Sequence, residues 1–254
     1  RCDLRARRMS TSKSRGGVRW SRESVCAALA LAAPTLIMVE SCCVRRDALR
    51  AVFCFHLYLA AALLWFRSPQ EQQRPQKKRS LLAPACAAAL FLFGVGLFLL
   101  CRFQSRPSEY LGVPLATLRS VLDRFGVQRQ GPMLLFAAYF SLANPVLEEL
   151  AWRRAFRAAA ATHLPSHRAD AVVAAAYAAY HNAIITNLMP PWFNFLVAFP
   201  FLAAFGLLLQ RVADARGLSV AVGLHVGLDA ATAFWILDLR FGWLDPLFAS
   251  SSSG

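Results

Sequence analysis

Six side chains in the second half of this 254-residue chain carry groups suited to acid–base and electrostatic chemistry: Glu148, Glu149, Arg153, His181, His225 and Asp229. Their spacing assigns them different work. In VLEELAWRRAF, residues 146 to 156, Glu149 and Arg153 stand four apart, stack on one helix face and pair. Glu148 points about 100° away, on the face of Asn144 and Trp152. Desolvated and beside a like charge, it is the carboxylate poised as a base, while Glu149 is structural. In AAYAAYHNAII, residues 175 to 185, Tyr177 and His181 share a face, so the phenol ring packs against the imidazole. In VGLHVGLDAAT, residues 222 to 232, His225 and Asp229 share a face, and Gly223 and Gly227 form a Gly-x-x-x-Gly that lets a neighbouring helix approach closely. Each motif alone has a plainer reading: interfacial acids answering Arg153 and Arg154, a helix–helix hydrogen bond from His181, a self-satisfying imidazole–carboxylate pair. All three together point to a site. A thiol nucleophile is excluded from this half, because the seven cysteines fall at 2, 26, 42, 43, 54, 86 and 101.

The elements that must position these groups are membrane helices. The chain is 57% hydrophobic and 17% charged, with a formal charge of +14, and its apolar runs continue for about twenty residues at a time. The expected fold is an all-α, polytopic membrane helical bundle of about seven (six to eight) spans, near 24 to 43, 48 to 66, 81 to 101, 131 to 151, 170 to 188, 192 to 209 and 218 to 239. Residues 171 to 210 contain no Asp, Glu, Lys or Arg and are divided by Pro190-Pro191, which predicts two helices joined by a tight turn. The domain boundaries follow: a basic tail or transit-like leader over 1 to 22, three membrane spans over 23 to 103, and a loop with an interfacial amphipathic helix (115 to 125) over 104 to 130. A four-helix catalytic core over 131 to 240 and a tail over 241 to 254 complete the chain.

Topology carries the argument further. With the N-terminus on the cytosolic, stromal or matrix side, 19 of the 28 Lys and Arg lie on that side, as the positive-inside rule favours. The fourth span then ends, and the fifth and seventh begin, at the same face. At a rise of about 1.5 Å per residue, Glu148 is expected about 5 Å in, His181 about 16 Å and His225 about 11 Å. Two imidazoles and carboxylates from three helices would converge beneath one face. The Lys and Arg are scattered through the connections rather than gathered on one surface, so no nucleic-acid partner is expected.

At these residues the sequence resembles the CPBP family, the CAAX prenyl endopeptidases and Abi-type intramembrane proteases. The family pattern is Glu-Glu-x-x-x-Arg, then an aromatic with His four later, then His with Asn or Asp four later. It is matched here by Glu148-Glu149-Leu-Ala-Trp-Arg153, Tyr177-Ala-Ala-Tyr-His181 and His225-Val-Gly-Leu-Asp229. Tyr177 replaces the usual Phe, Arg154 stands where many members have Gly, and Asp229 takes the place that is usually Asn in the prenyl proteases. An ionised Asp cannot donate a hydrogen bond to an oxyanion. Asp229 is therefore protonated, orients His225, or helps bind a metal.

The resemblance implies an intramembrane endopeptidase. Glu148 and His181 would activate a water, His225 with Asp229 would stabilise the oxyanion, and Glu149 and Arg153 would hold the site together. A metal-assisted version would use Glu148, His181 and His225 as ligands to a divalent ion such as zinc. The implied partners are membrane lipid and a membrane-anchored or prenylated peptide. The implied location is an endomembrane or organellar membrane, plastid included, with the site opening to the cytosolic or stromal side. Two other classes compete: a catalytically silent scaffold or assembly factor of the same family, and a small proton-coupled transporter. Against the transporter, the ionisable groups cluster near one face and the halves show no repeat.

Overall fold

The computed structural model describes residues 22–66, 82–105 and 108–249. The leader expected over 1 to 22 lies, apart from Arg22, outside the described residues, as do the basic connection 67–81 and the last five residues. The chain is an all-α membrane bundle. Helix α1 (Arg22–Met38) runs through a π turn (Val39–Val44), and α2 (Ala48–Trp65) and α3 (Leu82–Gln104) follow. A two-residue antiparallel pair, β1 (Glu109–Tyr110) and β2 (Val113–Pro114), leads into α4 (Leu115–Arg124). Helix α5 (Gln130–Leu150) continues through a π turn (Ala151–Phe156) into α6 (Arg157–Ala161). Then come α7 (Ser166–Ile185), α8 (Pro191–Phe193) running through a π turn (Asn194–Ala198) into α9 (Phe199–Arg216), α10 (Leu218–Phe241) and α11 (Asp245–Ala249).

Among the described residues, five helical rods are long and apolar enough to cross a membrane: Ser24–Val44, Leu82–Gln104, Gln130–Ala161, Pro191–Arg216 and Leu218–Phe241. Helix α2 is shorter and apolar, and α7 begins on the polar residues SHRAD. These seven pieces occupy the seven expected spans. Large apolar side chains such as Leu36, Phe53, Leu92 and Leu135 point outward. In water that would be an aggregation hazard, whereas in a bilayer the outer face is solvated by acyl chains.

The fourth rod differs from its expected length. A charge scan ends that span at residue 151, and the helix that carries it runs on to Ala161, with acids of the same chain answering two of its cations. Arg153 pairs with Glu149, and Arg157 meets Asp170 Oδ1 at 2.7 Å and Asp214 Oδ1 at 3.0 Å. Glu148 lies thirteen residues, about 20 Å, from the α6 end.

Helices α3 and α10 run parallel and touch through their backbones. A Cβ on Gly223 or Gly227 would collide with the carbonyls of Ala83 and Ala87, and one on Gly94 would fall 2.6 Å from the Ala231 Cβ. The Gly-x-x-x-Gly of α10 thus has α3 as its partner, and packing of small residues replaces the hydrophobic drive that a bilayer does not supply. Gly227→Leu should split this seam and lower the unfolding temperature in detergent, overpacking costing about 1–3 kcal/mol. Gly96→Ala, on the same α3 but with nothing within 4 Å of the added methyl, should leave it unchanged. Equal melting of the two variants would contradict the seam.

The other end of α10 is pinned by α4, whose Leu115, Leu118 and Leu122 are buried. Arg119 donates from Nε to the Leu239 carbonyl at 3.0 Å and pairs through Nη2 with Asp245 at 2.5 Å, while Arg240 pairs with Asp123 at 2.5 Å. Gly242 closes α10 in the left-handed region at φ 67°, donating its N–H to Asp238.

Candidate active site

The site begins at the α5 turn that carries Glu148 and Glu149, and the π turn after it sets its shape. A π turn adds one residue to a helical turn and recurs at functional sites. Here Ala151, Trp152, Arg153, Ala155 and Phe156 all face inward, more than an α-helical turn could bury on one side. Trp152 stacks on Tyr180 with centroids 5.5 Å apart and planes 3° from parallel, and Tyr180 packs on Phe55 of α2. This apolar floor fixes α7 against α5.

Glu149 is fully buried and makes three charged contacts. Arg153 donates from Nε to Oε2 at 3.0 Å and from Nη2 to Oε1 at 3.4 Å, and His225 donates from Nδ1 to Oε1 at 2.9 Å. The Arg153 guanidinium also lies 5.0 Å above the Tyr177 ring. Glu149 therefore spends its oxygens on holding α5 to α10.

Glu148 turns away from the Glu149–Arg153 pair and toward the other nitrogen of His225. Its Oε2 lies 3.9 Å from His225 Nε2, and the same nitrogen is 3.5 Å from Asp229 Oδ1 and 3.3 Å from the Tyr177 hydroxyl. Tyr180 donates its hydroxyl hydrogen to Glu148 Oε2, and its oxygen sits 3.0 Å from His181 Nε2. His181 donates from Nδ1 to the Tyr177 carbonyl at 2.9 Å, since a carbonyl can only accept. Its Nε2 is thereby left facing the phenol, and Tyr177 packs on the ring at 4.4 Å. Glu148, Tyr180 and His181 form a row in which one phenolic hydrogen has two acceptors. That row can take up one more proton, as a base requires.

The structure brings Glu148, Glu149, Arg153, His225 and Asp229 into direct or near contact and joins His181 to them through Tyr180. Sequence reasoning missed Tyr180, although it lies beside His181 on the other side of Tyr177's turn. It also missed the role of Asn144, which sits one helical turn before Glu148 and donates from Nδ2 to Asp229 Oδ2 at 3.0 Å. Behind Asn144 stands His56 of α2, within 2.9 Å of its Oδ1. The available signal was a single histidine in the otherwise uncharged stretch 51 to 66, where an imidazole needs a reason as much as one in the later spans does.

As a metal site the geometry does not fit. Among the described residues no three His, Cys, Asp or Glu side chains are disposed to hold one ion. His181 reaches Glu148 only through a phenol, and both its nitrogens already face protein atoms. Acid–base chemistry on a water between Glu148, Tyr180 and His225 is what the arrangement can perform.

Residues 130–231 match the family described as Type II CAAX prenyl endopeptidase Rce1-like. No curated protein and no solved structure matches the chain.

Proposed function

We propose, from the match of residues 130–231 to the Rce1-like type II CAAX prenyl endopeptidase family, that the chain is an intramembrane endopeptidase that hydrolyses a peptide bond with a glutamate-activated water. The reading is carried by one observation: Glu148, fully buried, faces His225 Nε2 at 3.9 Å while taking no part in the Glu149–Arg153 pair. Glu148, assisted by His181 through Tyr180, takes a proton from water, and the hydroxide formed attacks the scissile carbonyl. The negative charge that appears on the carbonyl oxygen is met by His225. Its Nδ1–H is spent on Glu149, so the acting ring is doubly protonated and Nε2–H serves the oxyanion. Asp229 orients that ring, and Glu149 with Arg153 anchors it. The proton held by Glu148 then passes to the leaving amine. Exclusion of bulk water strengthens each of these contacts.

The substrate class is a membrane-anchored peptide with a prenylated C-terminal CAAX sequence. Residues 131 to 240 form the catalytic unit, and the excess of Lys and Arg on one side supports an opening toward the cytosol or stroma. The test uses the full chain, purified and returned to liposomes with a farnesylated CAAX peptide. Mass spectrometry should reveal the shortened peptide, and exhaustive chelation by EDTA and phenanthroline should leave the rate unchanged. Loss of activity on chelation, restored by zinc, would replace the glutamate mechanism by a metal one. Folded protein with no turnover would favour the scaffold.

A further inference from the structure

Outside the segment that matches the protease family, α2 sends one polar side chain toward the site. His56 is 8% exposed and touches two groups on α5: Tyr139 Oη lies 2.7 Å from Nδ1, and Asn144 Oδ1 lies 2.9 Å from Nε2. Asn144 in turn has Nδ2 on Asp229 Oδ2 at 3.0 Å, and the other oxygen of Asp229 lies 3.5 Å from His225 Nε2. The directions of these bonds follow from what each atom can do. A carboxylate only accepts, so the amide nitrogen of Asn144 faces Asp229 and its oxygen faces His56. That oxygen also only accepts, so His56 donates from Nε2. Nδ1 then accepts the hydrogen of Tyr139. Turning the amide over would set its oxygen against Asp229 and is disfavoured. The result is a one-way row from Tyr139 through His56 and Asn144 to Asp229, ending at the imidazole that would meet the oxyanion.

We infer that His56 is a positioning residue of the proposed peptidase, contributed by the N-terminal spans: it locks Asn144 so that Asp229 holds His225 in register with Glu148. The inference rests on the endopeptidase reading for its kinetic consequence but not for its geometry. A histidine that merely ties α2 to α5 would also be buried and hydrogen-bonded, so the test needs readouts which a tie alone does not move.

In the full chain in liposomes, His56→Phe keeps a ring of similar size and loses both nitrogens, whereas His56→Gln keeps a donor toward Asn144 and an acceptor toward Tyr139. With a farnesylated CAAX peptide, His56→Phe should lower kcat about tenfold, the scale of one lost hydrogen bond in a dry site, with KM unchanged, whatever the bare Asn144 oxygen costs in unfolding temperature. His56→Gln should recover most of that loss. In nitrogen-15 spectra of histidine-labelled protein, His56→Phe should delete one imidazole and shift the signals of His225, which it reaches only through Asn144 and Asp229. A lowered unfolding temperature with kcat and the His225 signals unmoved would reduce His56 to a helix tie and overturn the inference. Wild-type protein without turnover would remove the peptidase reading instead, and the His225 shift alone would then decide whether the row exists.

Discussion

Glu148→Gln should lower kcat by about 10²- to 10⁴-fold, the usual contribution of a positioned general base, while leaving the protein folded and inserted. The expectation rests on how little the fold asks of this carboxyl. Glu148 is 1% exposed, but the charged knot that fastens α5 to α10 is made by Glu149, Arg153 and His225 without it. A glutamine has nearly the same volume and can still accept the Tyr180 hydroxyl, so packing beneath Trp152 is retained. It cannot take a proton from water. Cleavage of the farnesylated peptide would therefore fall to the level supplied by orientation and His225 alone, with expression and unfolding temperature at the wild-type value. Wild-type turnover in a folded Glu148→Gln protein would end the assignment of this residue as base.

Arg153→Met acts on stability first. Arg153 and Glu149 have side chains 1% and 0% exposed, so the substitution leaves a carboxylate in the bundle interior with His225 as its remaining charged partner. Breaking one half of such a pair costs about 3–5 kcal/mol, against about 0–1 kcal/mol for a solvent-exposed pair. The unfolding temperature in detergent should drop by roughly 10 °C on that scale. Glu149→Gln combined with Arg153→Met removes both charges and should regain a good part of the loss, which is the sign that an abandoned charge, not a lost contact, is responsible. If the single and double variants melt alike, an abandoned Glu149 charge is not the cause of the loss.

Much of the bundle was legible because long apolar runs leave few alternatives to helices, and the spacings Glu149–Arg153, Tyr177–His181 and His225–Asp229 are local quantities that a helix translates into contacts. The limits have physical causes. Counting charges gave no sign that the helix carrying the fourth span continues past residue 151, since the count is blind to Asp170 and Asp214, which pair with Arg157 from other helices. A π turn has no distinctive composition, and AWRRAF gave no hint that Phe156 would turn inward together with Trp152 and Arg153. Tyr180, Asn144 and His56 enter the site through pairings between residues 32, 85 and 88 positions apart, which no periodicity encodes.

The bare backbone seam between α3 and α10 bears on severability. Ala83 and Ala87 lie upstream of residue 130, and so does His56, while the glycines they cover and the carboxylate they lead to lie within the matched segment. Excised at its own boundaries, that segment would present a naked furrow along Gly223 and Gly227, with acyl chains too mobile to mould to it. The matched segment is thus a tenant of the N-terminal helices, and a trimmed fragment would surrender its shape before any activity could be assayed.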